Sequence, residues 1–170
     1  MSPPRYCPFY CEENIWWLAA DARVGPGRRT VLVISNPAGK VALWNQRAGA
    51  ADQEGLVVWD YHVVLVCEDA VWDLDTTLGM PTPVATYLSR TFRGAPEPFA
   101  PRFRVLDAEV YREVFASDRR HMRSDDGAFV QPPPPWAAIG EGHTLDALVD
   151  VERREPGVVV DLPGLVALLR

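Results

Sequence analysis

The stretch LVVWDYHVVLVC, residues 56–67, decides how this chain folds. β-Branched and aromatic side chains fill it, and these suit a pleated, half-buried surface, so it reads as one continuous strand. Period-2 alternation puts Val58, Asp60, His62, Val64 and Val66 on one face. Val57, Trp59, Tyr61, Val63, Leu65 and Cys67 fall on the other. Asp60 and His62 therefore point the same way. A histidine within an otherwise apolar strand is either a satisfied core residue or a functional one. A second strand is predicted from Ala70 through VWDLD, and so short a connection requires an antiparallel pair. With Cys67 and Glu68 as the turn residues, His62 faces Asp73; with Glu68 and Asp69, it faces Asp75. Both aspartates share a face, so a carboxylate reaches His62 in either register, and spacing leaves the choice open.

Upstream, EENIWWLAADA (residues 12–22) predicts a helix, with Ile15, Leu18, Ala19 and Ala22 at helical spacing. Glu12 and Glu13 occupy its first turn, where the helix dipole favours anions, and the Gly25-Pro26-Gly27 turn follows its end. Cys11 stands at the N-cap or first-turn position. Free backbone N–H groups there stabilise a thiolate, and comparable sites bring a cysteine pKa down to roughly 3.5–7.5. The same groups can hold an oxyanion. The bland alternative is a small buried hydrophobe, which is what most free cysteines are.

TVLVIS (30–35) and KVALW (40–44) read as strands around the turn Asn36-Pro37-Ala38-Gly39, hence a hairpin. Downstream, the pattern predicts a helix over 83–92, a strand over 102–106 and a helix over 107–116 capped by Asp107. A loop over 117–131, a polyproline segment from Pro132 to Pro135 and a helix over 163–170 complete the chain. No internal repeat and no second domain emerge. The expectation is a single α+β domain over residues 1–170, with helices packed on a mainly antiparallel sheet.

The chain's 170 residues fit one domain, and 48% hydrophobic with 24% charged residues is an ordinary globular balance. A net charge of -6 argues against nucleic acid as a partner, because phosphate binding needs a basic footprint. No apolar run reaches the length needed to span a bilayer, so no membrane partner is expected. The N-terminus lacks a signal-peptide core, and the location expected is cytoplasmic. Three cysteines are too few and too odd for a disulfide scaffold. Nor do Cys7, Cys11, His62 and Cys67 make a zinc set: His62 and Cys67 diverge on one strand, and Cys-x3-Cys lacks a second matching pair. What remains is a Cys…His…Asp order, with the nucleophile at a helix start and the base and orienter on adjacent strands. Papain-like proteases and transglutaminases use that arrangement, and it suits acyl transfer from an amide.

Six blocks then carry a resemblance: YCEENIW (10–16), WDYHVVL (59–65), DLDTTL (73–78), RFRV (102–105), FASDRRHM (115–122) and PPPPW (132–136). Together and in this order they closely resemble the protein N-terminal glutamine amidohydrolases. The resemblance implies Cys11 as nucleophile, His62 as base and the first aspartate of DLD, Asp73, as the third member, which favours the tighter of the two registers. It implies a papain/transglutaminase-like core and no cofactor, and the ligand spacing above leaves no metal expected. The implied reaction converts the N-terminal glutamine of a protein or peptide to glutamate with release of ammonia. The product can be read by an aminoacyl-transferase that marks proteins for degradation. The only partners expected are such substrates, with the chain acting as a monomer. Selecting an N-terminus requires a partner for the α-ammonium, and Glu13 or Asp60 could supply a carboxylate, although the helix dipole already accounts for Glu13. An internal-glutamine deamidase, a transglutaminase, a cysteine protease and a non-catalytic module that binds N-terminal glutamine are the competing readings.

Overall fold

TVLVIS is apolar on both faces, and such a strand must be covered on both. As β1 (Arg29–Ser35) it lies in the middle of a six-stranded antiparallel sheet. The structure is a computed structural model and describes residues 3–170. The further strands are β2 (Val41–Leu43), β3 (Val57–Trp59), β4 (His62–Cys67), β5 (Ala70–Trp72), β6 (Thr82–Pro83), β7 (Arg102–Asp107) and β8 (Val158–Val160). The main sheet runs β6-β5-β4-β1-β7-β8, and β2 pairs with β3 in a separate ribbon. Helices α1 (Cys11–Leu18), α2 (Val84–Thr91), α3 (Ala108–Val114), α4 (Leu145–Val149) and α5 (Leu162–Leu168) cover it.

Alternation along the central strands sorts the core into two layers. Val31, Val33, Val63 and Leu65 cluster with Ile15 and Leu18 of α1, Tyr111 of α3 and Leu148 of α4. Leu32, Ile34, Val64 and Val66 cluster with Tyr87 and Leu88 of α2, Leu165 of α5 and Val41 of β2. Full burial of such a side chain is worth about 1.5–3 kcal/mol. The α+β class and mainly antiparallel sheet expected from the sequence are therefore present.

Three local expectations are corrected. The hairpin over 30–44 does not form, because both edges of β1 are already taken: Val31 pairs with Leu65 on one side and with Leu106 on the other. Asn36 still makes the turn, accepting from the amides of Ala38 and Lys40, but the chain leaves the sheet and β2 pairs with β3 instead. The strand expected over 56–67 breaks at Asp60–Tyr61, where the Asp60 side chain accepts the Tyr61 amide at 2.9 Å. That local bond takes the amide out of any ladder. Finally, Cys67 pairs with Ala70 and Leu65 with Trp72, so Glu68 and Asp69 form the turn and the tighter register is not adopted.

Toward the C-terminus, Asp107 caps α3 as expected, accepting the Glu109 amide at 2.9 Å. α4 and β8 have no counterpart in the sequence reading. Their segment is held by Arg104, whose guanidinium is fully buried and donates to the carbonyls of Leu148, Asp150, Arg153 and Pro156. Among the described residues, no helix is long and apolar enough to cross a membrane.

Candidate active site

The break between β3 and β4 places His62 at the first position of β4, next to the start of α1. Cys11 is the first residue of α1 and is buried. The turn before it is fixed by Asn14, which donates to the Cys7 carbonyl and accepts the Cys7 amide, both at 2.8 Å. Cys11 and His62 are walls of one cleft of about 220 Å³, together with Trp59, Asp60, Asp75 and His121. Among the described residues, no lysine or arginine lines it.

His62 Nε2 lies 3.0 Å from Asp73 Oδ1, and both side chains are buried. This contact arises although the register of β4 and β5, extended by count, would set His62 against Asp75. β5 ends at Trp72, and the Asp75 amide folds back to donate to Asp73 Oδ1 at 2.9 Å. That turn bends Asp73 under the imidazole and carries Asp75 to the cleft wall, where its carboxylate accepts the Tyr6 hydroxyl at 2.6 Å. Asp73 Oδ2 accepts from the Tyr87 hydroxyl at 2.9 Å and from Gln46 Nε2 at 3.3 Å. The Trp59 indole stacks on the imidazole, with centroids 6.0 Å apart and planes 11° from parallel. A buried carboxylate so saturated holds the ring in one orientation and leaves Nδ1 as the nitrogen it does not occupy.

The electrostatics correct one expectation. Burial pushes the Cys11 thiol well above its ordinary pKa, and the Glu12 and Asp75 carboxylates push it further. The hydrogen bond from the Val63 backbone works the other way but does not prevail. The helix start therefore does not leave a free thiolate here. For His62, burial favours the neutral ring, but the charge and hydrogen bond of Asp73, aided by Asp75 and Glu12, outweigh it and raise the pKa. Burial would raise Asp73, yet His62 and the donors from Asp75 and Tyr87 hold it below the usual carboxylate range. Burial raises Asp75.

Of the two carboxylates considered for the α-ammonium, Glu13 lies elsewhere. It is fully buried, and its oxygens accept from Arg119 at 2.7 and 2.9 Å and from Trp136 Nε1 at 2.7 Å. It is not a wall of the cleft; it ties α1 to the FASDRRHM and PPPPW blocks. Asp60 does border the cleft, exposed, although the strand break interrupts the alternation that was to align it with His62. Donor atoms of His62, Asp73 and Asp75 come within 4.8 Å of one another, a spacing compatible with a metal ion. A cation there would compete with the His62–Asp73 bond and with the Tyr6 hydroxyl for the same oxygens. Cys67 is at the opposite end of β4 from His62, its thiol near the Pro26 carbonyl.

Sequence reasoning missed the supporting residues. Gln46 and Tyr87 come from a loop and a helix with no periodic link to His62, so nothing in the sequence announced them. Tyr61 and His121 were within quoted blocks, but only the fold reveals that both face Glu12, at 3.0 and 3.3 Å.

A family model described as N-terminal glutamine amidase matches residues 6–169. The chain is 38% identical over 151 residues to the protein N-terminal glutamine amidohydrolase of Arabidopsis thaliana, covering 79% of this chain and 68% of the plant protein. It is 38% identical over 177 aligned positions to the proteins of that name from Drosophila pseudoobscura pseudoobscura and Drosophila ananassae, covering 95% of this chain and 86% of each. With its length matched almost from end to end, this chain belongs to the N-terminal glutamine amidase family.

Proposed function

We propose that the protein deamidates the N-terminal glutamine of proteins or peptides, releasing ammonia and leaving glutamate. The observation that carries this reading is the buried His62–Asp73 pair opening onto the same cleft as Cys11, in a chain whose relatives bear that activity in their names.

In the proposed reaction, neutral His62 takes the thiol proton as Cys11 Sγ attacks the carboxamide carbon of the glutamine side chain. Because burial and the neighbouring carboxylates keep Cys11 protonated, a base is needed at this step. The first-turn amides of α1 receive the oxyanion. The carbon–nitrogen bond breaks, the imidazolium protonates the leaving ammonia, and a γ-glutamyl thioester remains. Water then gives a proton to His62, adds to the thioester carbon and displaces the sulfur, which recovers its proton. Asp73 orients the ring and stabilises its charged form throughout. One chain supplies every side chain in this scheme, which supports a monomer as the working unit.

Ammonia release should be measured on peptides with N-terminal, internal and acetylated N-terminal glutamine. Release from the first alone is expected. Release from the internal or acetylated peptide would favour a general deamidase, amine incorporation a transglutaminase, backbone cleavage a protease, and binding without ammonia a recognition module.

A further inference from the structure

Glu12 is fully buried, and its two oxygens are treated differently. Oε2 accepts the Tyr61 hydroxyl at 3.0 Å and the Cys11 thiol at 3.6 Å. Oε1 has no hydrogen-bond partner among the described residues: His121 Nε2 approaches to 3.3 Å without the alignment of a hydrogen bond. Both ring nitrogens of His121 are likewise buried and unbonded, and the ring is a wall of the cleft. Leaving a buried acceptor unsatisfied costs about 1–3 kcal/mol, and more when it is charged. Such a group beside a nucleophile is suited to a ligand that brings its own donors.

We infer that Glu12 Oε1, behind His121, anchors the α-ammonium of the substrate. This rests on the reaction proposed above and names what selects the N-terminus. Reach is adequate: in a glutamine attached through its side-chain carbon to Cys11, the α-nitrogen lies roughly 4–5 Å from that carbon by standard bond lengths. The anchoring carboxylate already touches the sulfur. Displacing His121 breaks no hydrogen bond: the ring packs against Tyr61 and His143, with centroids 6.3 and 5.4 Å away, and the ammonium would take over the 3.3 Å contact of its Nε2 with Glu12 Oε1. The other carboxylates fit less well. Asp75 already holds the Tyr6 hydroxyl, Asp60 is exposed to screening by water, and Glu13 is saturated. The anchor also has a catalytic consequence, since a cation seated on Glu12 offsets the negative charge that opposes thiolate formation at Cys11.

The test compares a glutamine-initiated peptide with its desamino analogue, which keeps the carboxamide and lacks the amine. In the wild-type protein, kcat/KM should favour the amine on the order of 10- to 100-fold, the range of a charge-assisted hydrogen bond. In Glu12→Gln that preference should collapse toward unity, with KM for the amine peptide raised. Equal losses for both peptides, the preference intact, would overturn the inference and leave Glu12 a structural group. If Glu12→Gln does not fold, Cys11→Ala with carbon-labelled histidine offers a second measurement. The His121 resonance should move on adding the amine peptide and stay put with the desamino peptide; equal responses to both would sink the anchor. Wild-type protein that releases no ammonia from the amine peptide would remove the proposed reaction itself, a distinguishable failure.

Discussion

Two neighbouring glutamates at the start of α1 face different surroundings. On the Glu13 side, Arg119 closes a two-pronged pair and Trp136 adds a third donor, so the carboxylate is as well satisfied as an interior charge can be. On the Glu12 side, one oxygen is bound and the other makes no hydrogen bond, with the His121 imidazole 3.3 Å away and itself without a hydrogen bond. Both residues are fully buried, so burial does not distinguish them. What differs is where the hydrogen bonds go. In one region they are spent on joining α1 to segments more than a hundred residues away; in the other, capacity is held open next to the cysteine. The lesson is that a buried charge must be read by its remaining valence: the closed network holds the fold, and the open one is where a substrate can add bonds.

The largest expected effect lies on the open side. Cys11→Ala should reduce ammonia release to background while its melting temperature stays near that of the wild-type protein, because no other group can form the thioester. Turnover retained in this variant would end the covalent mechanism. Next comes Asp73→Asn, which keeps the shape but loses the charge that favours the imidazolium. A loss of roughly 10²–10⁴-fold in kcat is expected, the range for general acid–base help.

The pH profile sharpens the same point. Since Asp73 raises the pKa of His62, the rate should climb as the ring loses its proton, through a midpoint above the ordinary histidine value of 6.5. In Asp73→Asn, burial is left with weaker opposition from Asp75 and Glu12, so the midpoint should move down. A midpoint that does not move would show that Asp73 is not the group that sets it.

The closed side should answer in stability. Arg119→Met strands the Glu13 carboxylate without its cation, and breaking a buried pair in this way costs about 3–5 kcal/mol. For a domain of this size that corresponds to a fall in melting temperature on the order of 10 °C. Thermal unfolding followed by circular dichroism would detect it, and at temperatures where the variant is folded its KM should match that of the wild-type protein. A raised KM with unchanged stability would reverse the assignment of the two glutamates.

The contrast also explains what could be read in advance. The nearness of His62 to the pair of aspartates was legible because a strand, a short turn and a returning chain are local; which aspartate meets the ring was not, since β5 ends at Trp72 and the turn closed by the Asp75 amide decides it. Cys11 was legible because helix starts carry a charge pattern. The Asp60–Tyr61 break was not, since it depends on one side-chain-to-backbone bond that competes with the ladder. The fate of β2 was hidden for another reason: β1 takes both its partners from distant sequence, β4 and β7, and no local signal announces that its edges are full. α4 and β8 depend on Arg104, at least 44 residues away from each carbonyl it binds. Glu12 and Glu13 look alike in the sequence because everything that separates them arrives from Tyr61, His121, Arg119 and Trp136.

The smallest effect belongs to Asp60, and its smallness is informative. Asp60 lines the cleft, but it is exposed, and one of its oxygens accepts its neighbour's amide. An exposed carboxylate gains about 0–1 kcal/mol from a cation, because water screens the pair. Asp60→Asn should therefore change kcat/KM for a glutamine-initiated peptide by no more than about fivefold at moderate ionic strength. What effect there is should fade as salt is added, since screening grows with ionic strength. The desolvated Glu12 contact should keep its preference for the amine over the same salt range. Measured side by side, the two salt dependences separate a carboxylate that attracts the substrate from a distance from one that grips it. A large, salt-insensitive loss in Asp60→Asn would move the ammonium site to the rim of the cleft and reduce Glu12 to a neighbour of the cysteine.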